Sequence, residues 1–346
     1  MDRRPTDFCP ILTILNCTSS NMKRTFKILG YLLAFLVLFA GAGAAFIWFN
    51  GIPDYTPDIP PQVAALQAPR DSAHVARGAK IATLLCNECH RSDDGKLTGK
   101  QMKDVPAVFG TVYSMNITHD TEHGIGKWTD GELYYFLRTG IHTDGRWSPP
   151  FMPKFPLMAD DDVYSIIAWL RSADPALAPD TREYPPNNFN FFTRFLANVA
   201  IFPPPLPRQS IMVPDTSDQV AFGRYVADAL CGCYGCHSAD FAKLDDLSPE
   251  KSVGYYGGGN PLLNLDQKLV PSANITMDRE TGIGTWTRQQ FLEAVKYGKN
   301  PQGGPLHYPM FPHTTLSDPE VNAIWAFLQT VPPLRNPVAR YREASF

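Results

Sequence analysis

The chain has 346 residues, of which 31 are basic and 34 acidic, and its formal net charge is −3. This length is sufficient for two domains of ordinary size, and the balanced charge, without a basic run, excludes a typical nucleic-acid-binding protein. The chain contains 32 prolines and 25 glycines and no sustained alternation of apolar and polar residues, which predicts loop-rich domains instead of an extended sheet.

The first predicted element is an uncharged apolar stretch over residues 28–49. A helix of about 20 apolar residues spans a bilayer, so we predict a transmembrane anchor. Basic side chains stand directly before it, and the positive-inside rule then makes residues 1–27 a cytoplasmic leader and sends the rest of the chain into the periplasm. Met22 precedes Lys-Arg and is a natural start, so residues 1–21 are expected to be an artefact of the assigned start. A cleaved signal peptide is the alternative, with an apolar region of only about 7–15 residues.

The next segment leads from the anchor to a first helix. Residues 50–69 are proline-rich and irregular, and we expect a linker that holds the first domain away from the membrane. A helix is predicted from Ser72, which can cap its N-terminus, to Leu85, because apolar residues recur at helical spacing between them. This helix leads directly into a cysteine motif.

The motif has two cysteines separated by two residues and followed at once by histidine, and it occurs twice in the chain. This spacing is typical of covalent haem attachment, in which two thioethers hold the haem and the adjacent imidazole binds its iron. A zinc knuckle would need four convergent ligands, and a redox dithiol would need a βαβ pattern around it. Neither pattern is visible in the sequence. We therefore predict two covalently bound haem c groups, attached through Cys86, Cys89, Cys233 and Cys236, with His90 and His237 as proximal iron ligands.

The segments that follow each motif form an internal repeat. Asn116-Ile-Thr and then Gly124-Ile-Gly-x-Trp-Thr recur 158 residues further on, at Asn274 and Gly282. Each is followed by a helical pattern that ends at glycine and by a last helix in the same register. The predicted parts of the chain are thus domains at residues 70–177 and 215–334, a connecting segment at 178–214 and a tail at 335–346.

The constant register also indicates the sixth ligand of each iron. A distal ligand must come from the segment between the middle helix and the last one. An offset of 158 residues brings Met310 onto Met152, whereas Met158 falls on Leu316. A single methionine is usually core filler, but these two stand beside prolines at corresponding positions. We therefore predict Met152 and Met310 as distal ligands.

The second motif contains an ambiguity in its first cysteine. Cys86 stands eight positions after Gly78, and the same offset from Gly223 reaches Cys231 instead of Cys233. The two-residue spacing that matches the haem favours Cys233. Cys231 is then expected to be a buried thiol.

The connecting segment contains an apolar run at helical spacing, from Phe189 to Phe202. One interpretation is a short helix wedged between the two domains. The other is an apolar patch that docks on a membrane partner.

The combination of Asn-Ile-Thr, Gly-Ile-Gly-x-Trp-Thr, a proline-flanked methionine and a final Ala-Trp-Leu or Ala-Phe-Leu helix resembles a known family. It is similar to the class I cytochrome c domains in the cytochrome c subunits of membrane-bound alcohol, aldehyde and gluconate dehydrogenases, over about residues 70–333. Members of that family typically carry three haem domains and a C-terminal membrane segment, whereas this sequence shows two motifs and an N-terminal span. The resemblance implies an all-α, loop-rich fold of two tandem class I domains after a transmembrane helix.

Histidine and methionine together would fill both axial positions of each iron and leave no open site for a substrate. We therefore expect an electron-transfer protein that is not itself an enzyme. It would relay electrons on the periplasmic side of the inner membrane, from a dehydrogenase or quinol-oxidising complex to an oxidase or another cytochrome. A dihaem cytochrome c peroxidase and a haem-bearing structural subunit of a respiratory complex are the alternatives.

Overall fold

The computed structural model describes residues 11–149, 151–264 and 266–338. Its residue contacts divide the chain into two compact units, residues 1–51 and 52–346. The first unit is dominated by helix α1, Ile11–Asn50. The part of α1 from Arg24 to Asn50 is long and apolar enough to cross a membrane, and none of its most apolar window is buried. The predicted span at 28–49 lies within it, whereas residues 1–10 of the predicted leader lie outside the described part.

The second unit is mostly helical with few strands, as predicted. Its first half contains α2 to α6, at Pro61–Ala64, Ser72–Leu85, Asn87–His90, Asp130–Thr139 and Asp160–Leu170. The connecting segment contains α7, at Phe191–Val199. The second half contains α8, at Gln219–Arg224, a π-helical segment at Tyr225–Leu230, and then α9 to α11 at Cys233–His237, Arg288–Tyr297 and Asp318–Leu328. Positions 339–346 of the predicted tail are outside the described residues.

Two small antiparallel sheets pin loops to their neighbours. Strand β1, Gly110–Thr111, pairs with β2, Asn188–Phe189, in the register Gly110 to Phe189. Strands β3 and β4, at Pro261–Leu263 and Leu269–Pro271, pair in the second half. The first of these sheets joins the connecting segment to a loop of the first half, so this segment is packed against the fold.

The predicted helix starts follow from capping chemistry. The Thr129 hydroxyl oxygen accepts a hydrogen bond from the Glu132 backbone amide, and the Thr129 backbone amide donates to the Glu132 carboxylate. Thr287 and Gln290 make the same reciprocal pair of hydrogen bonds. The Trp-Thr element of the repeat is therefore a helix N-terminus in both halves. Helix α3 has the predicted bounds, but its cap is Asp71, whose carboxylate accepts from two backbone amides; Ser72 is the first helical residue.

The segment predicted as a linker at residues 50–69 packs against the first half. The Tyr55 amide donates to the Gly145 carbonyl over 2.8 Å, and the Tyr55 ring meets Trp147 edge-on with its centroid 6.0 Å away. Ile52 joins the same apolar cluster. The prolines correctly indicate irregular backbone, but the apolar residues between them supply the packing energy that an open spacer would lack.

The same helix crossing occurs in each half. A Cβ atom added to Gly78 in α3 would lie 1.8 Å from the Ser165 carbonyl oxygen in α6, and one added to Gly223 in α8 would lie 1.8 Å from that of Ala323 in α11. Ser165 and Ala323 are 158 residues apart. The backbones of both helix pairs therefore approach closely at a glycine, which fixes the direction in which each approach helix delivers its cysteine motif.

Candidate haem site

The first cysteine motif is one compact turn of helix. Cys86 ends α3, and its carbonyl oxygen accepts from the amides of Cys89 and His90 over 3.2 and 2.8 Å. Burial raises the pKa of the Cys86 thiol to about 12 and that of Cys89 to about 11. Both side chains are therefore protonated at neutral pH, which suits a permanent thioether better than a redox dithiol that needs a thiolate.

The His90 ring is oriented for metal binding. Its Nδ1 donates to the Met115 carbonyl oxygen over 2.7 Å, because a carbonyl can only accept. This bond leaves Nε2 as the unprotonated ring nitrogen, the form in which histidine binds metals through a fixed tautomer. Burial lowers the pKa of His90, which also favours the neutral ring.

The Asn-Ile-Thr motif holds the carbonyl that orients this ring. The Asn116 side-chain oxygen accepts from the Thr118 amide over 2.9 Å and from the Thr118 hydroxyl over 2.7 Å. The Asn116 amide group donates to the Asp180 carbonyl over 2.7 Å. These bonds fix the loop directly after Met115. The repeat found in the sequence is thus a support for the histidine.

A largely apolar cavity lies beside the first motif. Four residues that the sequence predicted as haem-binding line this cavity together: Cys86, Cys89, His90 and Met152. Met158, in contrast, is fully buried in the core, and its counterpart Leu316 is too. The two thiols are the groups that attach haem c covalently, and the imidazole nitrogen and the methionine thioether are groups that bind its iron. These four residues would hold the group, which supplies one-electron chemistry when bound.

Two residues that the sequence did not indicate support the methionine loop. The Lys154 ammonium donates to the Ser148 and Pro149 carbonyls over 2.6 and 2.8 Å, and burial lowers its pKa to about 7. His142, whose pKa burial lowers to about 4, lies with Nε2 3.0 Å from the Ser148 hydroxyl. Neither residue belongs to the repeat, because Pro312 and Asn300 stand at the corresponding positions. No pattern in the sequence could therefore have found them.

The second motif repeats the geometry of the first. His237 Nδ1 donates to the Ala273 carbonyl over 2.8 Å, and Ala273 lies 158 residues after Met115. The Asn274 side-chain oxygen accepts from the amide and hydroxyl of Thr276 over 2.9 and 2.7 Å. Both histidines are therefore held through Nδ1 by a backbone carbonyl that an Asn-Ile-Thr turn fixes.

The methionine turns also correspond. The Met152 amide donates to the Pro149 carbonyl over 3.2 Å, and the Met310 amide donates to the His307 carbonyl over 3.0 Å. Both methionine side chains are partly buried. The second methionine thus occupies the same kind of turn, at the same distance from its last helix, as the first.

A π-helical turn accounts for the ambiguous cysteine. The Cys231 amide donates to the Val226 carbonyl, five residues back, over 2.9 Å, and Gly232 then adopts a left-handed conformation with φ of 63°. The wide turn and the glycine accommodate the two extra residues between Gly223 and Cys233. Helix α9 begins at Cys233, four residues before its histidine, as Cys86 stands before His90.

Cys231 lies next to this helix as a partly buried thiol. Its hydrogen bond with Cys233, together with burial, raises the Cys233 pKa. The described residues contain no group of three or more His, Cys, Asp or Glu side chains placed to hold a metal ion. The zinc alternative therefore finds no support in the described part of the chain.

Comparison with known proteins gives the family context. Residues 75–174 match the cytochrome c family model. The chain is 27% identical over 275 residues to the cytochrome c subunit of the quinone-type alcohol dehydrogenase of Gluconacetobacter polyoxogenes, covering 76% of this chain and 57% of that protein. It is 30% identical over 277 residues to the fructose dehydrogenase cytochrome subunit of Gluconobacter japonicus, covering 75% and 54%.

A third relative is the gluconate 2-dehydrogenase cytochrome c subunit of Pantoea cypripedii, which is 24% identical over 278 residues, covering 75% of this chain and 60% of that protein. The chain thus spans a little over half the length of these relatives. The match over the first motif and the similarity across both halves agree with the resemblance found in the sequence. The chain therefore contains a cytochrome c domain, which binds haem c covalently, and it is homologous to the cytochrome c subunits of alcohol, fructose and gluconate dehydrogenases.

Proposed function

We propose that this protein is a membrane-anchored dihaem cytochrome c that relays single electrons on the periplasmic side of the inner membrane. The observation that carries the proposal is the repeated bond from histidine Nδ1 to a backbone carbonyl, at His90 and His237. In each half this bond presents the other ring nitrogen to a metal. Two cytochrome c domains, at residues 70–177 and 215–334, would each hold one haem.

Axial ligation decides the type of chemistry. With Met152 and Met310 as distal ligands, His90 and His237 would supply the other ligand of each iron, and no coordination position would be open to a substrate. A thioether ligand also raises the reduction potential relative to a second histidine. An iron of this kind exchanges electrons and binds no reactant, which favours a relay over a peroxidase.

The anchor sets the side of the membrane. Arg24–Asn50 is apolar enough to span a bilayer, and basic residues precede the apolar stretch. The positive-inside rule then directs residues 52–346 to the periplasm, where c-type haem attachment takes place.

The partner classes come from the relatives. Their names describe cytochrome subunits of dehydrogenases that act on alcohol, fructose or gluconate. We propose that a dehydrogenase catalytic subunit, or a quinol-oxidising complex, supplies electrons to this chain. An oxidase or another cytochrome would accept them.

The haem count tests the central proposal. The full chain, expressed with a haem-attachment system and purified from membranes, should show two haems per polypeptide by the pyridine haemochrome assay. The double variants Cys86→Ser with Cys89→Ser, and Cys233→Ser with Cys236→Ser, should each retain one haem. A single haem in the wild-type protein would contradict the proposal.

Carbon monoxide separates the relay from the peroxidase. The reduced wild-type protein should show no rapid spectral change with carbon monoxide, because both irons carry two protein ligands. Met152→Gly, which opens one distal position, is the positive control and should bind carbon monoxide at one haem. Rapid binding at one haem of the wild-type protein would favour the peroxidase.

A further inference from the structure

Helix α7 exposes an aromatic face. Its apolar residues Phe191, Phe192, Phe195 and Val199 are between 39% and 53% exposed. At 100° of rotation per residue, these four positions fall within an arc of about 100°. Phe202, just beyond the helix, is 59% exposed. Single exposed apolar residues are ordinary, but a contiguous face of this kind marks a surface that contacts something other than water.

The opposite side of α7 is already occupied. Thr193 and Ala197 are buried, and the Thr193 hydroxyl donates to the Phe109 carbonyl over 2.7 Å. Ala197 belongs to the apolar cluster that contains Tyr135, Ile141 and Trp147. The helix is therefore attached firmly through one face, while its aromatic face is only partly covered by other residues of this unit.

The start of the second compact unit packs beneath α7. Ile52 and Tyr55 pack against the cluster that contains Ala197. The apolar span ends at Asn50, and two residues of extended chain reach at most about 7 Å. Only Gly51 separates the last residue of the span from Ile52, so the chain that leaves the span enters this cluster directly.

Charge also suits a lipid surface. Between Tyr184 and Pro214 the sequence contains no Asp or Glu, while Arg194 and Arg208 carry positive charge. An apolar helix face combined with basic residues and without acidic ones is a feature of helices that lie in the interface of an anionic bilayer. Aromatic side chains are especially stable at that depth.

We propose that the aromatic face of α7 inserts into the bilayer interface, so that the protein has a second membrane contact besides its transmembrane span. This inference rests on the proposed membrane anchoring. Phe192 packs on Phe109 at 5.4 Å, and Phe109 packs on Phe151, which lines the first cavity, at 5.6 Å. Insertion would therefore fix the first haem site close to the membrane surface.

Photocrosslinking to lipid tests this inference on the full chain. The protein is reconstituted in vesicles of phosphatidylethanolamine and phosphatidylglycerol that contain a phospholipid with a diazirine near the top of one acyl chain. After illumination, lipid adducts are mapped by mass spectrometry. We expect adducts on the peptides that contain residues 24–50 and on those that contain residues 189–202.

A triple variant and a matched control identify the face. Combining Phe191→Ser, Phe195→Ser and Val199→Ser should reduce adducts at 189–202 by about ten-fold or more, because the apolar area that favours insertion is removed. Adducts at 24–50 should not change. The control combines Val220→Ser, Val253→Ser and Leu269→Ser, which removes three apolar side chains elsewhere that are 41–64% exposed, and should behave like the wild type. Haem absorbance and circular dichroism verify that both variants fold.

Each other outcome gives a distinct answer. Adducts at 24–50 without any at 189–202 would overturn the inference and leave the anchor intact. Adducts at neither segment would overturn both. If α7 takes up no lipid but the triple variant loses a copurifying dehydrogenase subunit, the face is a protein interface and the inference is wrong.

Discussion

At the scale of single residues, His90 and His237 depend on carbonyl oxygens that lie 25 and 36 residues further along the chain. The sequence predicted the two histidines from the cysteine spacing alone. The sequence also showed the Asn-Ile-Thr repeat, but not that this repeat orients the histidine. This role required coordinates, since a backbone carbonyl has no residue type by which a sequence could identify it.

The distal ligands give the first prediction. Met152→Ala and Met310→Ala should each keep both haems bound, because the thioethers and histidines remain. Each should lower one of the two midpoint potentials, on the order of 0.1 V within the roughly 0.8 V range that axial ligands cover. Redox titration followed by visible absorbance measures both potentials. Met158→Leu, a volume-conserving change in the core, is the control and should alter neither. Unchanged potentials in both alanine variants would contradict the ligand assignment.

The choice between two cysteines gives the second prediction. Because α9 starts at Cys233, Cys233→Ser should leave the second haem attached by a single thioether, whereas Cys231→Ser should leave both thioethers intact. The α-band of the pyridine haemochrome shifts to longer wavelength when one vinyl group stays unsaturated, and the mass of the haem peptide confirms the attachment. The reverse pattern would assign the thioether to Cys231.

At the scale of elements, the helices were the part of the fold that the sequence predicted best. The Ser72–Leu85 helix has its predicted bounds, and Thr129 and Thr287 begin their helices with capping boxes. These features are local, so a short stretch of sequence contains them. The π-helical turn at Tyr225–Leu230 was not predictable, since two inserted residues could be absorbed anywhere between Gly223 and Cys233.

The connecting segment shows the same limit. Its apolar run predicted a helix, and α7 occupies Phe191–Val199. The strand pair of Gly110 with Phe189, which fastens this segment to the first half, involves only two residues on each side. So short a pairing leaves no pattern in the sequence. The packing of residues 50–69 was missed for a similar reason, because prolines reveal irregular backbone and not what the backbone lies against.

The two glycine crossings give a prediction at this scale. Gly78→Ala and Gly223→Ala each place a methyl group 1.8 Å from a backbone carbonyl oxygen, which cannot move aside as a side chain could. Each should lower the free energy of unfolding by about 3 kcal/mol. Gly235→Ala is the matched control: nothing lies within 4 Å of its added Cβ, and alanine favours the helix, so stability should change by less than about 1 kcal/mol. Urea denaturation followed by circular dichroism measures all three. Equal stability of the three variants would refute the close crossing.

At the scale of the whole molecule, both halves belong to the compact unit of residues 52–346, and a partly buried network of charges joins them. Arg77 of α3 donates to Asp162 of α6 over 2.7 Å and to Glu320 of α11 over 3.1 Å. Asp162 and Glu320 are 158 residues apart and thus occupy equivalent positions in the repeat. Lys80 also pairs with Glu320. One helix of the first half therefore binds the last helix of each half.

The hydroxyl of Tyr225 completes this junction, since it donates to Asp162 over 2.5 Å and accepts from the Ala159 amide over 3.1 Å. Tyr225 lies 63 positions after Asp162 and 66 positions after Ala159. A repeat in the sequence predicts two similar units, but it does not indicate which residues form the interface between them. The contact between the halves was therefore beyond sequence reasoning.

Glu320 connects this junction to pH. Burial alone would raise the pKa of its carboxyl group, but the hydrogen bonds from Lys80 and from the Ser317 amide outweigh burial, and the pKa lies below its usual value. The folded protein therefore binds fewer protons at this site than the unfolded chain. The resulting stability is complete above the unfolded pKa of about 4.3 and is lost as the pH falls through the lower folded pKa.

Substitution of Glu320 tests this linkage. Glu320→Gln should lower the free energy of unfolding by about 1–3 kcal/mol at pH 7, because Lys80 and Arg77 lose a buried partner. The difference from the wild type should shrink as the pH falls below about 4, where the wild-type carboxylate takes up its proton.

Glu122→Gln is the control, because the side chains of Glu122 and its partner Lys127 are both more than 60% exposed. This substitution should change stability by less than about 1 kcal/mol at every pH. Urea denaturation between pH 3.5 and 7 measures both series, at pH values chosen to bracket the carboxylate range. A deficit in Glu320→Gln that stays constant down to the lowest pH would show that the carboxylate charge does not hold the two halves together.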